Sequence, residues 1–163
     1  MLIMTINIIL ATDLDLGIGI DNHLPWPTNR KDMEWFRDNT LGHVVVMGRK
    51  TWESLGSKPL KKRINVVITS RPLEGPDVVL SGDMGMNLRY LEQQWPGLCI
   101  WVVGGADIYS QCIPYTDRVY LTTFNDLYAC DTHVSSDVLL EFPVIDHKED
   151  CDSITFQIRS RDT

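Results

Sequence analysis

Four short runs of apolar residues constrain the fold of this 163-residue chain more than any other feature. The runs cover residues 3–11, 43–47, 64–70 and 98–103, and none of them alternates regularly between apolar and polar positions. Strands that are buried on both faces, as in parallel sheets, have this pattern. Because helical patterns separate the runs through the first two-thirds of the chain, we predict a mostly parallel α/β sheet.

Three further strands are expected. A short one lies at residues 78–80, and two late ones lie at 117–124 and 154–160 with no helical pattern between them, which indicates an antiparallel edge. Between these two late strands we expect a polar loop up to about residue 152. The length of the chain fits a single domain over residues 1–163.

Charge and cysteine content exclude several classes of function. The net charge of -7 argues against non-specific nucleic-acid binding, although it leaves room for a local basic pocket. No apolar run approaches the ~18 residues of a membrane span, and the apolar N-terminus lacks a basic segment and a cleavage site, so we interpret it as a strand. The four cysteines form no CxxC pair. We therefore expect free thiols, no metal site and a cytoplasmic protein without a membrane partner.

Residues 24–40, LPWPTNRKDMEWFRDNT, carry the most suggestive acid of the chain. Two prolines stiffen the segment around Trp26, and Asn29 is the predicted N-cap of a helix that ends near Thr40. Asp32 then shares a helix face with two aromatic residues three and four positions later. An acid in a first turn often only favours the helix dipole, so both interpretations stay open at this point.

Three strand ends indicate an anion-binding edge. In open α/β sheets ligands lie beyond the carboxyl ends of strands, where helix N-termini offer unpaired N–H groups and glycines allow close approach. We predict that the helix starts hold a pyrophosphate and that nearby cations hold an isolated phosphate. Taken singly, each end also reads as an ordinary turn, because neither a G-x-G-x-x-G nor a Walker sequence is present. The residues concerned are Gly48, Arg49, Lys50, Thr51, Ser70, Arg71, Gly104 and Gly105.

Seven segments in a fixed order carry a family resemblance. They are GIGIDNHLPW, DMEWFRDNT, VVVMGRKTWESLG, INVVITS, WVVGGADIY, VYLTTF and DTH. In order and spacing they resemble the dihydrofolate reductases over nearly the whole chain. The resemblance implies a three-layer fold with a mostly parallel mixed sheet of about eight strands, an antiparallel C-terminal edge and about four flanking helices.

An activity is implied in the same way. It is the NADPH-dependent reduction of 7,8-dihydrofolate, with hydride added to pterin carbon 6 and a proton to nitrogen 5. This reaction supplies one-carbon metabolism and makes the family an antifolate target. The implied partner is a small-molecule substrate, with no nucleic acid, and we expect a monomer.

The resemblance also implies roles for individual residues. Asp32 matches the acid that binds the pterin, with Thr122 supporting it, and Trp26 matches the residue that orders a water beside it. Arg63 matches the arginine that holds the α-carboxylate of the glutamate tail. The implied substrate site consists of Ile9, Ala11, Asp32, Met33, Phe36, Leu55, Leu60, Arg63, Val103, Tyr109 and Thr122. The implied cofactor site consists of Ala11, Ile18, Gly19, Ile20, Gly48, Arg49, Lys50, Thr51, Thr69, Ser70, Arg71, Gly104, Gly105, Ala106 and Ile108.

Two departures and two alternatives accompany this interpretation. PLKKR stands before the strand where a PGR-like turn is usual in the family, and Asp107 follows the glycine pair, so we expect its carboxylate to point away from phosphate. One alternative is a reductase of another pteridine or pyrimidine on the same fold, as in riboflavin biosynthesis. The other is a non-catalytic nucleotide-binding module, which would not need an acid opposite the phosphate site.

Overall fold

Ten strands and five α-helices make up residues 5–162, the part of the chain that this computed structural model describes. The strands are β1 (Ile6–Thr12), β2 (Gly17–Gly19), β3 (Val44–Gly48), β4 (Ile64–Ile68), β5 (Val78–Leu80), β6 (Ile100–Gly104), β7 (Arg118–Phe124), β8 (Thr132–His133), β9 (Val144–Cys151) and β10 (Ile154–Ser160). The helices are α1 (Arg30–Thr40), α2 (Arg49–Ser54), α3 (Met84–Gln94), α4 (Ala106–Cys112) and α5 (Asp137–Leu140). The beginning of the predicted strand at residues 3–11 lies outside the described residues.

Eight of the strands form one sheet in the order β5-β4-β3-β6-β1-β7-β10-β9. The strands from β5 to β7 are parallel, and β10 pairs antiparallel with both β7 and β9. The central strand β1 is buried along almost its whole length, as its continuous apolar sequence predicts. The predicted parallel sheet with an antiparallel C-terminal edge is therefore confirmed.

Helices cover both faces of the sheet. Ile8 and Leu10 of β1 pack in one apolar cluster with residues of α3 and α4. Ile9, which points to the other face, packs in a second cluster with Trp52 of α2 and Phe36 of α1. This alternation along β1 produces three layers, because successive side chains of a strand leave opposite faces.

Helix α1 begins and ends where the sequence predicts. The side chain of Asn29 accepts a hydrogen bond from the Asp32 N–H at 3.0 Å, as an N-cap does. At the other end, the Leu41 N–H donates to the Arg37 carbonyl, and Gly42 follows with φ of +82°. The cap and the exit fix the direction in which the α1 side chains meet the sheet.

The predicted polar loop up to residue 152 is wrong. The segment contains β8, α5 and the eight-residue strand β9. Strand β9 is exposed at nearly every position, since it forms the outer edge of the sheet, and therefore carries no apolar pattern. Residues 12–27, between β1 and α1, contain the short strand β2, which pairs with β8. None of the helices in residues 5–162 is both long and apolar enough to cross a bilayer.

Candidate active site

The carboxyl ends of β3 and β6 lie against each other at one edge of the sheet. A Cβ atom on Gly48 would lie 3.0 Å from Ile108 Cγ1, and one on Gly104 would lie 3.2 Å from Thr51 Oγ1. Gly104 has φ of +135°, in the region that side chains disfavour, and it precedes the first turn of α4. Two helix starts, each with a glycine at the N-cap, thus converge where sequence reasoning placed a pyrophosphate.

Cationic and hydroxyl groups surround these helix starts. Arg49 Nη1 is buried and has no hydrogen-bond partner within residues 5–162, while its Nε lies 3.7 Å from Glu53 Oε2. Beyond β4, the Thr69 hydroxyl accepts from the Arg71 N–H at 3.2 Å, so this turn is ordered next to the same edge. A buried guanidinium nitrogen without an acceptor, beside exposed Lys50 and Arg71, fits an anionic ligand.

Asp107, which follows the glycine pair by two residues, is paired with a side chain of its own helix. Asp107 is exposed, and its carboxylate accepts a hydrogen bond from Gln111 Nε2 at 2.9 Å, one turn further along α4. Four further predicted cofactor-site residues lie on or next to β1 and β2. Ala11 is near the carboxyl end of β1, Ile18 and Gly19 are in β2, and Ile20 follows them.

Asp32 extends from α1 toward β7. Burial raises the pKa of its carboxyl, and a hydrogen bond with the Thr122 side chain opposes that rise. Tyr109 of α4 is buried and donates to the Ile9 carbonyl at 2.9 Å; burial, and then the charge of Asp32, raise the pKa of its hydroxyl. The structure therefore brings together the acid, the threonine and the tyrosine that the family resemblance assigns to one site.

The two aromatic residues that follow Asp32 pack against the same apolar cluster, and Trp35 makes further contacts. The Trp35 ring lies 4.7 Å from the ring of Phe156 and 5.9 Å from that of Tyr120, so it packs against the antiparallel part of the sheet. Both Trp35 and Phe36 also pack against the cluster around Ile9. Both aromatic residues therefore face the sheet, as the helical spacing predicts, and Trp35 in addition packs on β10.

Trp26 is held by other aromatic rings. It stacks on Phe124 with the ring centroids 4.3 Å apart and meets the edge of Tyr128 at 5.8 Å. Its Nε1 is buried and has no hydrogen-bond partner in the described part of the chain. A fixed indole with an unsatisfied donor is suited to hold a polar ligand or a water molecule.

The apolar residues predicted to line the pterin site differ in how deeply they are buried. Ile9, Phe36, Leu60 and Val103 belong to one apolar cluster, and Ala11 packs against the cluster that contains Trp26. Met33 and Leu55 are 59% and 37% exposed. These two side chains are therefore open to solvent.

Arg63 lies at the end of a basic groove. Its Nη1 donates to Thr40 Oγ1 and its Nε to the Lys61 carbonyl, both at 3.0 Å, and its guanidinium carbon lies 5.9 Å from the Phe36 ring centroid. Burial, and then the charge of Arg37, lower the pKa of Arg63. The groove has a volume of about 630 Å³ and is lined by Arg37, Asp38, Leu41, Pro59, Leu60, Lys61, Lys62 and Arg63. Sequence reasoning missed Arg37, one helical turn after Met33.

Residues 14–23, which we call the lid, are attached to two other parts of the molecule. The Asp21 N–H donates to Asp131 Oδ2 at 2.9 Å, and the Asp131 N–H donates to the Gly19 carbonyl at 2.9 Å. At the tip, Asn22 Nδ2 donates to the Lys50 carbonyl at 3.2 Å. The lid is therefore tied to the segment before β8 and to α2. Sequence reasoning did not assign roles to Asp131 or Asn22, although the segment DTH contains the first.

Comparisons with known proteins identify the relatives of this chain. A family model described as "Dihydrofolate reductase" matches residues 5–159. The chain is 38% identical over 119 residues to a dihydrofolate reductase of Haemophilus influenzae, covering 73% of this chain and 71% of the relative. It is 39% identical over 131 residues to that of Bacillus subtilis, covering 78% and 74%.

A solved structure shares the fold. It is the dihydrofolate reductase from Enterococcus faecalis complexed with NADP(H) and RAB-propyl, which superposes with a TM-score of 0.85 at 23% identity. The similarity covers 98% of this chain and 97% of that one.

Proposed function

The chain belongs to the dihydrofolate reductase family, and we propose that it reduces 7,8-dihydrofolate to 5,6,7,8-tetrahydrofolate with NADPH. The observation that carries the proposal is the partly buried Asp32 beside Thr122 and Tyr109, with cationic helix starts at the neighbouring strand ends. The family match favours this substrate over other pteridines and pyrimidines and over a non-catalytic nucleotide-binding module. We further propose a cytoplasmic monomer that supplies one-carbon and thymidylate metabolism.

The residues at the sheet edge suit NADPH. Backbone N–H groups of the α2 and α4 first turns would face its pyrophosphate, with Thr51 beside the glycine pair. The unpaired nitrogen of Arg49, with Lys50 and Arg71, would contact the 2′-phosphate. When bound, NADPH supplies the hydride that carbon 6 of the substrate receives. The residues proposed to hold it are Ala11, Ile18, Gly19, Ile20, Gly48, Arg49, Lys50, Thr51, Thr69, Ser70, Arg71, Gly104, Gly105, Ala106 and Ile108.

Asp32 is the proposed anchor of the pterin. One carboxylate can accept two parallel hydrogen bonds, from the 2-amino group and from ring nitrogen 3, which restores the polar contacts that burial removes. Tyr109, kept protonated, holds the Ile9 backbone at the bottom of the site. The apolar walls are provided by Ile9, Ala11, Met33, Phe36, Leu55, Leu60 and Val103.

Protonation of nitrogen 5 requires a donor near the pterin. We propose that a water held by the buried Nε1 of Trp26 delivers the proton. The negative charge of Asp32 favours the protonated pterin through electrostatic attraction. Asp32 and Trp26 are the catalytic residues of this mechanism.

The direct test of the proposed reaction is spectrophotometric. Mixing the pure protein with NADPH and dihydrofolate should cause loss of absorbance at about 340 nm, and tetrahydrofolate should form in equal amount. Replacement of dihydrofolate by a pyrimidine substrate of the riboflavin-pathway type should give no absorbance loss. Reduction of that pyrimidine, with dihydrofolate left unchanged, would refute the proposal.

Arg63 should hold the α-carboxylate of the substrate's glutamate tail. Its planar guanidinium can bind a carboxylate through two bonds, which a lysine cannot reproduce. We expect Arg63→Lys to raise the KM for dihydrofolate roughly tenfold. A tail-less dihydropterin should be reduced as by the wild type.

The matched control for Arg63 is Arg118→Lys, since Arg118 is exposed at the first position of β7. This variant should leave the KM for dihydrofolate and the KM for the tail-less dihydropterin unchanged. If Arg63→Lys raises the KM for dihydrofolate and the KM for the tail-less dihydropterin equally, Arg63 only supports the fold, through its bond to Thr40.

Opening of the lid should limit turnover at least in part. The lid is held by contacts with Asp131 and with the Lys50 carbonyl, and such closures commonly gate product release. Rapid mixing should therefore show a burst of NADPH oxidation before the steady state. A trace without a burst, together with a full deuteride isotope effect on steady-state turnover at neutral pH, would identify the chemical step as rate-limiting instead.

A further inference from the structure

Asp13 is a buried carboxylate beside the lid to which the proposed mechanism gives no role. Its side chain is 2% exposed and lies one residue beyond β1. Oδ1 accepts hydrogen bonds from the Asp15 N–H at 2.9 Å and the Gly17 N–H at 2.8 Å. Oδ2 accepts from the Tyr128 N–H at 3.0 Å and lies 3.7 Å from Cys130 Sγ. One side chain therefore joins the end of β1, the lid and residues 128–130.

The charge of this carboxylate is compensated by backbone groups. Burial alone raises the pKa of Asp13, but hydrogen bonds from the Tyr128, Gly17 and Asp15 backbones, with a smaller contribution from Cys130, bring it below the ordinary value. Asp13 is therefore ionised at neutral pH. A buried, ionised acceptor makes stronger hydrogen bonds than a neutral or solvent-exposed one, because water does not compete for it.

Gly17 is packed tightly against the same site. A Cβ atom at this position would collide with Cys130 Sγ and would lie 2.9 Å from Cys130 Cβ and 3.0 Å from Asp13 Oδ1. The backbone of Gly17 also accepts from the Asp13 N–H at 3.0 Å. The backbone of Gly17, at the start of β2, is therefore packed between the Asp13 carboxylate and the Cys130 thiol.

We propose that Asp13 is a positioning residue that holds the lid closed and thereby slows the release of NADPH. The inference rests on the proposed function, in which Ile18, Gly19 and Ile20 of the lid lie beside the nicotinamide. The hydrogen bond between Asp21 and Asp131 is exposed to water, whereas the bond from Gly17 to Asp13 is buried and those from Asp15 and Tyr128 are partly buried. The hydrogen bonds to Asp13 therefore contribute more to closure of the lid than the exposed bond between Asp21 and Asp131 does.

The test compares Asp13→Asn with Asp15→Asn. Asparagine has nearly the same shape but no charge, and its NH2 group would face one of the N–H donors. We expect NADPH to dissociate on the order of tenfold faster from Asp13→Asn, measured by stopped-flow fluorescence with excess competitor. The KM for dihydrofolate should change little. Asp15→Asn, whose side chain is 80% exposed, should behave as the wild type.

Amide hydrogen exchange shows which segments of the chain open more readily in Asp13→Asn. In Asp13→Asn the amides of residues 14–23 and 126–131 should exchange faster, while those of β3 and β4 should keep wild-type protection. A second pair of variants changes Gly17, the lid residue whose N–H group donates to Asp13. Gly17→Ala should also speed NADPH release, and Gly17→Ala/Cys130→Ala should restore part of the wild-type rate, because removing Sγ relieves the closest contact.

Three results would overturn the inference. They are unchanged NADPH release in Asp13→Asn, faster exchange throughout the large sheet, and no recovery in the double variant. Failure of the proposed function has a different signature, namely wild-type protein that does not bind NADPH in the same fluorescence assay. The exchange comparison would then still decide whether Asp13 holds the lid.

Discussion

Asp32→Asn is expected to lower turnover on dihydrofolate at neutral pH by about two to four orders of magnitude, the range of general acid–base contributions. The asparagine keeps the shape of the side chain and its place beside Thr122, but it removes the negative charge that favours a protonated pterin. Activity should recover partly at low pH, where dihydrofolate is already protonated in solution. The measurement is turnover against pH for wild type and variant.

The controls for Asp32→Asn separate chemistry from folding and from cofactor binding. NADPH affinity should barely change, because the cationic helix starts lie at other strand ends. Glu34→Gln, two residues along the same helix, serves as the matched control and should keep wild-type turnover. A variant with near-normal activity at neutral pH, or one that loses NADPH binding together with activity, would falsify the assignment of Asp32.

Thermal unfolding provides a second readout for the same variant. Burial raises the pKa of Asp32 in the folded state above its ordinary value in an unfolded chain, so ionisation of Asp32 destabilises the folded protein. Below that value both states are protonated and the variant should match the wild type. As the pH rises through the folded-state pKa, Asp32→Asn should become the more stable of the two. We therefore expect the Asp32 carboxylate to lower the free energy of unfolding at neutral pH, as groups buried for function commonly do.

Local signals in the sequence predicted much of the fold. The Asn29 cap and the glycine after Thr40 determined the bounds of α1, and the apolar runs located the buried parallel strands. The pattern failed at β9, because an edge strand exposed at nearly every position is specified by its backbone pairing with β10 and not by apolar side chains. Strands β2 and β8 were missed for a similar reason, since they are two or three residues long and pair only with each other.

The site was predictable to the extent that it follows from strand ends and helix faces. Asp32, Arg49 and the glycine pair lie where the element order requires. Long-range side-chain contacts were not predictable in this way. Trp35 shares the helical spacing of Phe36 but packs on Phe156, which is more than a hundred residues away in the chain. The anchor formed by Asp13 with Tyr128 depends on the same kind of contact.

The choice between NADPH and NADH should depend on Arg49. Its Nη1 is buried without a partner within residues 5–162, and the 2′-phosphate that only NADPH carries would supply the missing acceptor. Charge-assisted bonds of this kind contribute about 1.5–3 kcal/mol each, or roughly 10- to 150-fold in affinity. We therefore expect Arg49→Ala to raise the KM for NADPH by roughly that factor and the KM for NADH by much less, in steady-state assays at fixed ionic strength.

A charge-matched control distinguishes this contact from a general electrostatic effect. Lys58→Ala removes one positive charge from an exposed position in the loop after α2 and should leave the ratio of the two KM values unchanged. Arg49→Ala also releases Glu53 from its 3.7 Å ion pair, so Arg49→Ala/Glu53→Gln should show the same discrimination against NADPH as the single variant. Equal changes in the KM for both cofactors would mean that Arg49 acts on the shared pyrophosphate or on α2 itself. The 2′-phosphate assignment would then have to be abandoned.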